Sequence, residues 1–363
     1  MSSCPKVARC RGTTPSAAQS VHGILGYMTA YVLGAGASHH AGYPLCSELW
    51  PHMIDWVSKA RSPDPRFAEA LSIVARLNGP VRDVETLFTD LCLGQGVFAA
   101  LDPNKTRVLA RNISRCLLAS LEGISKRGLA AGCYAALASK LASGDGVVTF
   151  NYDVALETEL IRVLKFRVRD GYGFEANWDE PGSQVQLLKL HGSINWIGEI
   201  SGPRPRSISA GGIRLVGPYV DNRKCLLPEY PGVVLDTTCS GRGGTTDGLV
   251  TVILPTHRKR FCVPTSLGDE WDDLYGSLWR KAGELLAGSD RIVIIGYSMP
   301  RADELAAQLL LDRSNRDALL TVCCGNANEA TRDVEQRFHD AGFTRIQHID
   351  DPTFEGYLAH QAA

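Results

Sequence analysis

Residues 30–38 read AYVLGAGAS, an apolar strand that runs straight into a glycine turn. The same pattern recurs along the chain. GVVTFNYD (146–153), VQLLKLHGS (185–193), RIVIIGYS (291–298) and LLTVCCG (319–325) each begin apolar and end on small or polar residues. LVTVILP (249–255) is a further apolar run, and RIQHID (345–350) is a last candidate strand. Several of these runs are apolar without alternation. That is how strands read when both faces of a parallel sheet are covered. Segments 47–77 and 84–141 have leucine, alanine and charged residues at helical spacing, punctuated by Pro63, Pro65 and Pro80. Strands alternating with helices predict an α/β fold with a Rossmann-like, doubly wound, mostly parallel sheet.

The domain expectations follow from the same pass. Residues 1–27 are rich in Ser, Thr, Gly and basic residues without a period, and are expected to be a disordered arm. Residues 28–363 are expected to form one α/β domain, with a helical insertion over about 47–141. An irregular insertion is expected over about 198–248, where RPRSISAGG and CSGRGGTTDG occur.

Composition excludes some classes. The formal net charge is -1 over 363 residues, so there is no global basic footprint for nucleic acid. No apolar run approaches the roughly 18 residues of a membrane span, and no signal peptide is evident. A cytoplasmic protein is expected. The 11 cysteines are scattered, with no CxxC pair, which points to reduced thiols and to no metal site.

In an open parallel sheet, ligands bind beyond the C-terminal ends of the strands. Five strand ends here carry Gly34–Ser38, Asn151–Asp153, His191–Ser193, Gly296–Ser298 and Gly325–Asn326. GAGAS suits a turn in which backbone N–H groups approach a phosphate, but His39 stands where a third glycine would complete GxGxxG. A tight strand-to-helix turn explains it equally. Asn151 reads as a helix cap or as a catalytic group, and Asp153 also suits capping of VALETELI. His191 reads as a structural histidine or as a base, with Gly192 clearing space beside the ring.

Taken in order, GAGAS, TFNYD, LHGSINW and IIGYSMPRAD resemble the sirtuin superfamily, and within it the bacterial sirtuin-like NAD hydrolases of anti-phage defence. LPTHRKRF ahead of WDDLYGSLW is similar to the same branch. The resemblance runs from about Met28 to Asn326. It implies an enzyme that takes NAD as substrate and cleaves its nicotinamide–ribose bond. It makes Gly34, Ala35, Gly36 and Ser38 a phosphate cradle, and Asn151 and His191 the catalytic pair, with Asp153 near the nicotinamide. Gly296, Ser298, Gly325 and Asn326 would line the far side of the dinucleotide. Asn151 would orient a ribose hydroxyl or water, and His191 would act as base. Defence members are gated, so a homo-oligomer or a separate sensor or ATPase subunit is expected. The sequence departs from the protein-deacylating sirtuins. GYPLCSELW, from Gly42, has no acid, phenylalanine or arginine in the corresponding places, and paired zinc cysteines are lacking. A deacylase is therefore disfavoured, and an NAD or ADP-ribose sensor without turnover is the alternative.

Overall fold

The computed structural model describes residues 27–61, 63–81, 83–125, 132–167, 171–173, 183–198, 213–215, 225–227, 230–235, 249–250, 252–257, 270–300, 303–325 and 328–362. The expected arm up to residue 26, most of 198–248, and Asn326 lie outside them.

Six strands form one parallel sheet: β1 (Thr29–Leu33), β2 (Gly146–Thr149), β3 (Gln186–Lys189), β9 (Arg291–Ile295), β10 (Leu319–Cys323) and β11 (Ile346–Gln347). Their spatial order is β3-β2-β1-β9-β10-β11, and every pairing is parallel. Numbered within the sheet, that order is 3-2-1-4-5-6, the arrangement of a Rossmann-like doubly wound fold. The chain winds outward from β1 to β3, then returns to β1's other side and winds outward again. The reversal lies between β1 and β9.

All five residues of β1 are buried, as are all four of β2. This is why these runs do not alternate: helices cover both faces. Fully burying a Val, Leu or Ile contributes roughly 1.5–3 kcal/mol, so β1, β2 and β9 anchor the domain.

Between β1 and β2 the chain is helical: α1 (Ala35–His39), α2 (Leu49–Lys59), α3 (Pro65–Asn78), α4 (Val84–Leu93), α5 (Pro103–Ser125) and α6 (Gly132–Lys140). Local chemistry sets several boundaries. Asp64 caps α3 by accepting from Arg66 N, with Pro65 in the first turn. Asp83 caps α4, which ends at Gly94 in a left-handed conformation. The later helices are α7 (Ala155–Arg162), α8 (Glu270–Gly288), α9 (Glu304–Arg313), α10 (Asn328–Asp340) and α11 (Phe354–His360).

The stretch expected to be irregular contains short antiparallel strands. Leading into it, β4 (Trp196–Gly198) pairs with β5 (Ile213–Leu215) and with β8 (Leu249–Val250), the start of the LVTVILP run; within it, β6 (Cys225–Leu227) pairs with β7 (Tyr230–Leu235). Their apolar runs are only a few residues long among glycine and proline, too short to register as a period.

Where the sheet order reverses, two loops meet backbone to backbone. Gly34 N donates to Ile295 O at 3.0 Å, and Gly36 N donates to Gly296 O at 3.0 Å. A Cβ on Gly296 would lie 2.0 Å from Ala37 N, and one on Gly34 would lie 2.5 Å from Gly296 O. Gly296 also has φ +64, where side chains are strained. Gly296→Ala is therefore expected to destabilise the fold by about 2–4 kcal/mol, from overpacking together with backbone strain. Urea unfolding monitored by circular dichroism checks this. Stability within 0.5 kcal/mol of wild type, roughly the range for a neutral surface change, would show that the loops can separate.

Candidate functional site

A cavity of about 500 Å³ opens over this reversal. Its floor comes from four strand ends. The β1 end supplies Ala35, Gly36 and Ser38; the β2 end supplies Asn151 and Asp153; the β3 end supplies His191; the β9 end supplies Gly296 and Ser298. Eight of the residues singled out in the sequence thus share one cavity. Residues from the helical stretch after β1 complete the wall, among them Pro44, Cys46, Asp83 and Glu85.

Two of the expected residues sit elsewhere. Gly34 does not line the cavity, because it is occupied in the contact with β9. Gly325 does not line it either: its N–H donates to Pro352 O at 2.8 Å, and Cys324 takes the place at the cavity wall. The two glycines expected in a phosphate cradle also have a structural role. The amides of Gly34 and Gly36 already donate to carbonyls of the β9 end, so these glycines serve loop-to-loop packing.

Ser38 is a junction. Its hydroxyl donates to Asp153 Oδ2 at 2.6 Å, accepts from Asn151 Nδ2 at 2.9 Å, and lies 2.7 Å from the Tyr134 hydroxyl. Ser38 is only 1% exposed, so each of these bonds offsets a desolvation penalty. Asn151 Nδ2 also donates to Gly34 O at 2.7 Å. A carbonyl can only accept, which settles which end of the amide points inward. The group Asn151 can offer a ligand is therefore Oδ1. Asp153 Oδ1 accepts from Ala155 N at 3.0 Å, but the N-cap of α7 is Val154, so Asp153 closes the turn just before the helix instead of capping it. With Oδ2 on Ser38, the carboxylate can act on a ligand mainly through its charge.

His191 is buried at the end of β3, with its ring centroid 5.1 Å from that of Phe150. Its Nε2 lies 3.9 Å from Asp303 Oδ2, an ion-pair distance and not a hydrogen bond. Asp303 was not singled out in the sequence. As the acid before ELAAQLLL it reads as a helix cap, and it does cap α9, accepting from Ala306 N at 3.3 Å. Its other oxygen accepts from Tyr297 OH at 3.0 Å. Tyr297 in turn stacks on Phe150 at 4.4 Å. The strand stops at His191 because Gly192 has φ 82, which lets the chain turn sharply there.

Behind this floor lies a buried ion pair. Lys189, 1% exposed, donates to Glu157 Oε1 at 2.7 Å and to the Asp153 carbonyl. It ties the β2 end to the β3 end, and so holds Asn151 and His191 in one frame. Burial pushes the Glu157 carboxyl above the usual range, with Lys189 opposing the shift. Tyr172 OH also donates to Glu157 Oε1, at 3.1 Å. Among the described residues, no group of three or more His, Cys, Asp or Glu side chains could hold a metal ion, and no helix is long and apolar enough to cross a membrane.

Lys189→Met is expected to cost about 3–5 kcal/mol, because it leaves Glu157 buried without its counter-charge. Adding Glu157→Gln should restore much of that loss. Denaturant titration of the single and double variants is the check, and equal stabilities for the two would remove the ion pair from the argument.

No protein-family model matches the chain, and no curated protein matches it, so function is argued from the geometry of the site.

Proposed function

We propose that the chain cleaves the nicotinamide–ribose bond of NAD, yielding nicotinamide and ADP-ribose, as a sirtuin-like bacterial NAD hydrolase. One observation carries the reading. The strand ends that hold the four resemblance motifs converge on a single cavity at the strand-order reversal, where doubly wound folds take dinucleotides.

The chemistry suits the groups present. Cleavage of an N-glycosidic bond passes through an oxocarbenium-like state. Nicotinamide departs neutral, taking the bonding electron pair. Water adds its oxygen to the anomeric carbon and loses one proton. Asn151 Oδ1 accepts from a ribose hydroxyl or from the attacking water and sets its approach. His191 takes the proton, directly or through a ribose hydroxyl. The Asp303 carboxylate, 3.9 Å away, favours the imidazolium that results. The charge of Asp153 favours the cationic sugar. In the same reading the enzyme is a cytoplasmic effector of anti-phage defence. Its restraint then falls to self-association or to a separate sensor or ATPase subunit.

A second reading, an NAD or ADP-ribose sensor without turnover, is favoured by one feature. Ser38, Asp153 and the Asn151 amide nitrogen satisfy one another's hydrogen-bonding capacity. Isothermal titration with NAD, run beside an assay for released nicotinamide, separates binding from turnover.

The decisive variants are Asn151→Ala and His191→Ala. Each should lower nicotinamide release about a hundred- to ten-thousand-fold, the usual cost of removing a positioned acid–base group. Asp303→Asn, which keeps the helix cap, should give a smaller loss. The assay uses purified protein and NAD, alone and with the products of neighbouring genes, with thermal melts as the folding control. Asn151→Ala should also melt lower, because it strips Gly34 O and Ser38 of a donor. Near-normal turnover in a folded His191→Ala protein would rule out the assigned base.

A further inference from the structure

We infer that Tyr134 is a positioning residue for Asn151, acting through the hydroxyl of Ser38. The consequence for turnover rests on the NAD-cleavage reading; the positional claim does not.

A serine hydroxyl has one hydrogen to donate and two lone pairs to accept with. Ser38 Oγ has three partners: Asp153 Oδ2, Asn151 Nδ2 and Tyr134 OH. The Asp153 carboxylate only accepts, so it takes the one hydrogen. The Asn151 amide nitrogen only donates, so it fills one lone pair. The remaining lone pair has to be filled by a donor, and Tyr134 is therefore the donor in its 2.7 Å contact. Ser38 is then saturated and has no other position that keeps all three bonds.

This fixes Asn151 in turn. Its Nδ2 has two hydrogens, and both are committed, one to Gly34 O at 2.7 Å and one to Ser38 Oγ at 2.9 Å. Without the Tyr134 hydroxyl, one lone pair of Ser38 loses its donor inside a buried site. Ser38 is then free to rotate, and Asn151 keeps a single firm anchor. Its Oδ1, the group facing the chemistry, loses a defined direction.

The surroundings of Tyr134 suit a permanent donor. The residue is 1% exposed, on α6, with its ring edge-on to His40 at 4.9 Å and to Phe354 at 5.6 Å. Burial pushes its phenol well above the ordinary tyrosine range, with polar contacts to both Ser38 and the Asn151 side chain opposing the shift, so the hydroxyl stays protonated. The packing involves the ring alone, and a phenylalanine would preserve it.

The test is Tyr134→Phe in the full-length protein labelled with ¹⁵N. The Asn151 side-chain amide signals are assigned by their disappearance in Asn151→Asp. The expected result is that these signals shift and that their exchange with solvent rises about tenfold, the scale of one lost hydrogen bond. In turnover, kcat should fall about tenfold while KM for NAD holds, and adding Ser38→Ala should bring no further loss beyond Ser38→Ala alone. Unchanged amide signals would overturn the inference. So would loss of folding in Tyr134→Phe, since a hydroxyl that only positions Asn151 is dispensable for folding. If the wild-type protein releases no nicotinamide, the cleavage reading fails and the amide signals still decide the role of Tyr134.

Discussion

Two loops touching backbone to backbone set the layout of this molecule. β1 and β9 are adjacent strands separated by more than 250 positions in the chain. Their C-terminal loops approach so closely that a single Cβ at Gly296 would collide with Ala37 N. Because the loops close on each other, the strand order can reverse there without opening a gap into the core. The cavity then sits above the closure. Side chains from β2 and β3 supply the chemistry on one side, and the wall from the helical stretch after β1 stands opposite.

The polar groups of the floor are organised by the cost of burial. Ser38, Asn151, Asp153, Lys189 and Glu157 are all buried, and an unpaired polar group there would cost about 1–3 kcal/mol. Each is satisfied by a partner from another strand end or helix. The bonds that hold the floor together therefore also aim it. Asn151 turns its amide nitrogen inward because Gly34 O and Ser38 Oγ require donors, and the amide oxygen is left for the cavity. Structural and functional readings of such residues are compatible. Asp153 closes the turn before α7 and lines the cavity, and Asp303 caps α9 and faces His191.

Much of this was legible in the chain. Apolar runs without alternation announce a sheet covered on both faces, and what each run ends on announces a cavity edge. Ala35, Gly36, Ser38, Asn151, Asp153, His191, Gly296 and Ser298 do meet. The glycines of GAGAS looked like a cradle for phosphate, yet their amides are taken by the β9 end. Gly192, expected to clear space beside a ring, also turns the chain, with φ 82. Local sequence names a glycine but not what approaches it.

What the sequence by itself determined is the α/β class, the sheet strands β1, β2, β3, β9 and β10, and the residues presented at their ends, because periodicity and strand termination are local properties of the chain. What only the tertiary structure decided is partnership. Tyr134 lies 96 positions from Ser38, and Lys189 lies 32 from Glu157. Each of these residues reads alone as an ordinary helix or strand residue. Asp303 reads alone as a cap, and its place beside His191 depends on which strands are neighbours. Hydrogen bonds and ion pairs act over a few ångströms of space and leave no period in the sequence, so the order of strands in the sheet had to be known before those residues could be recognised.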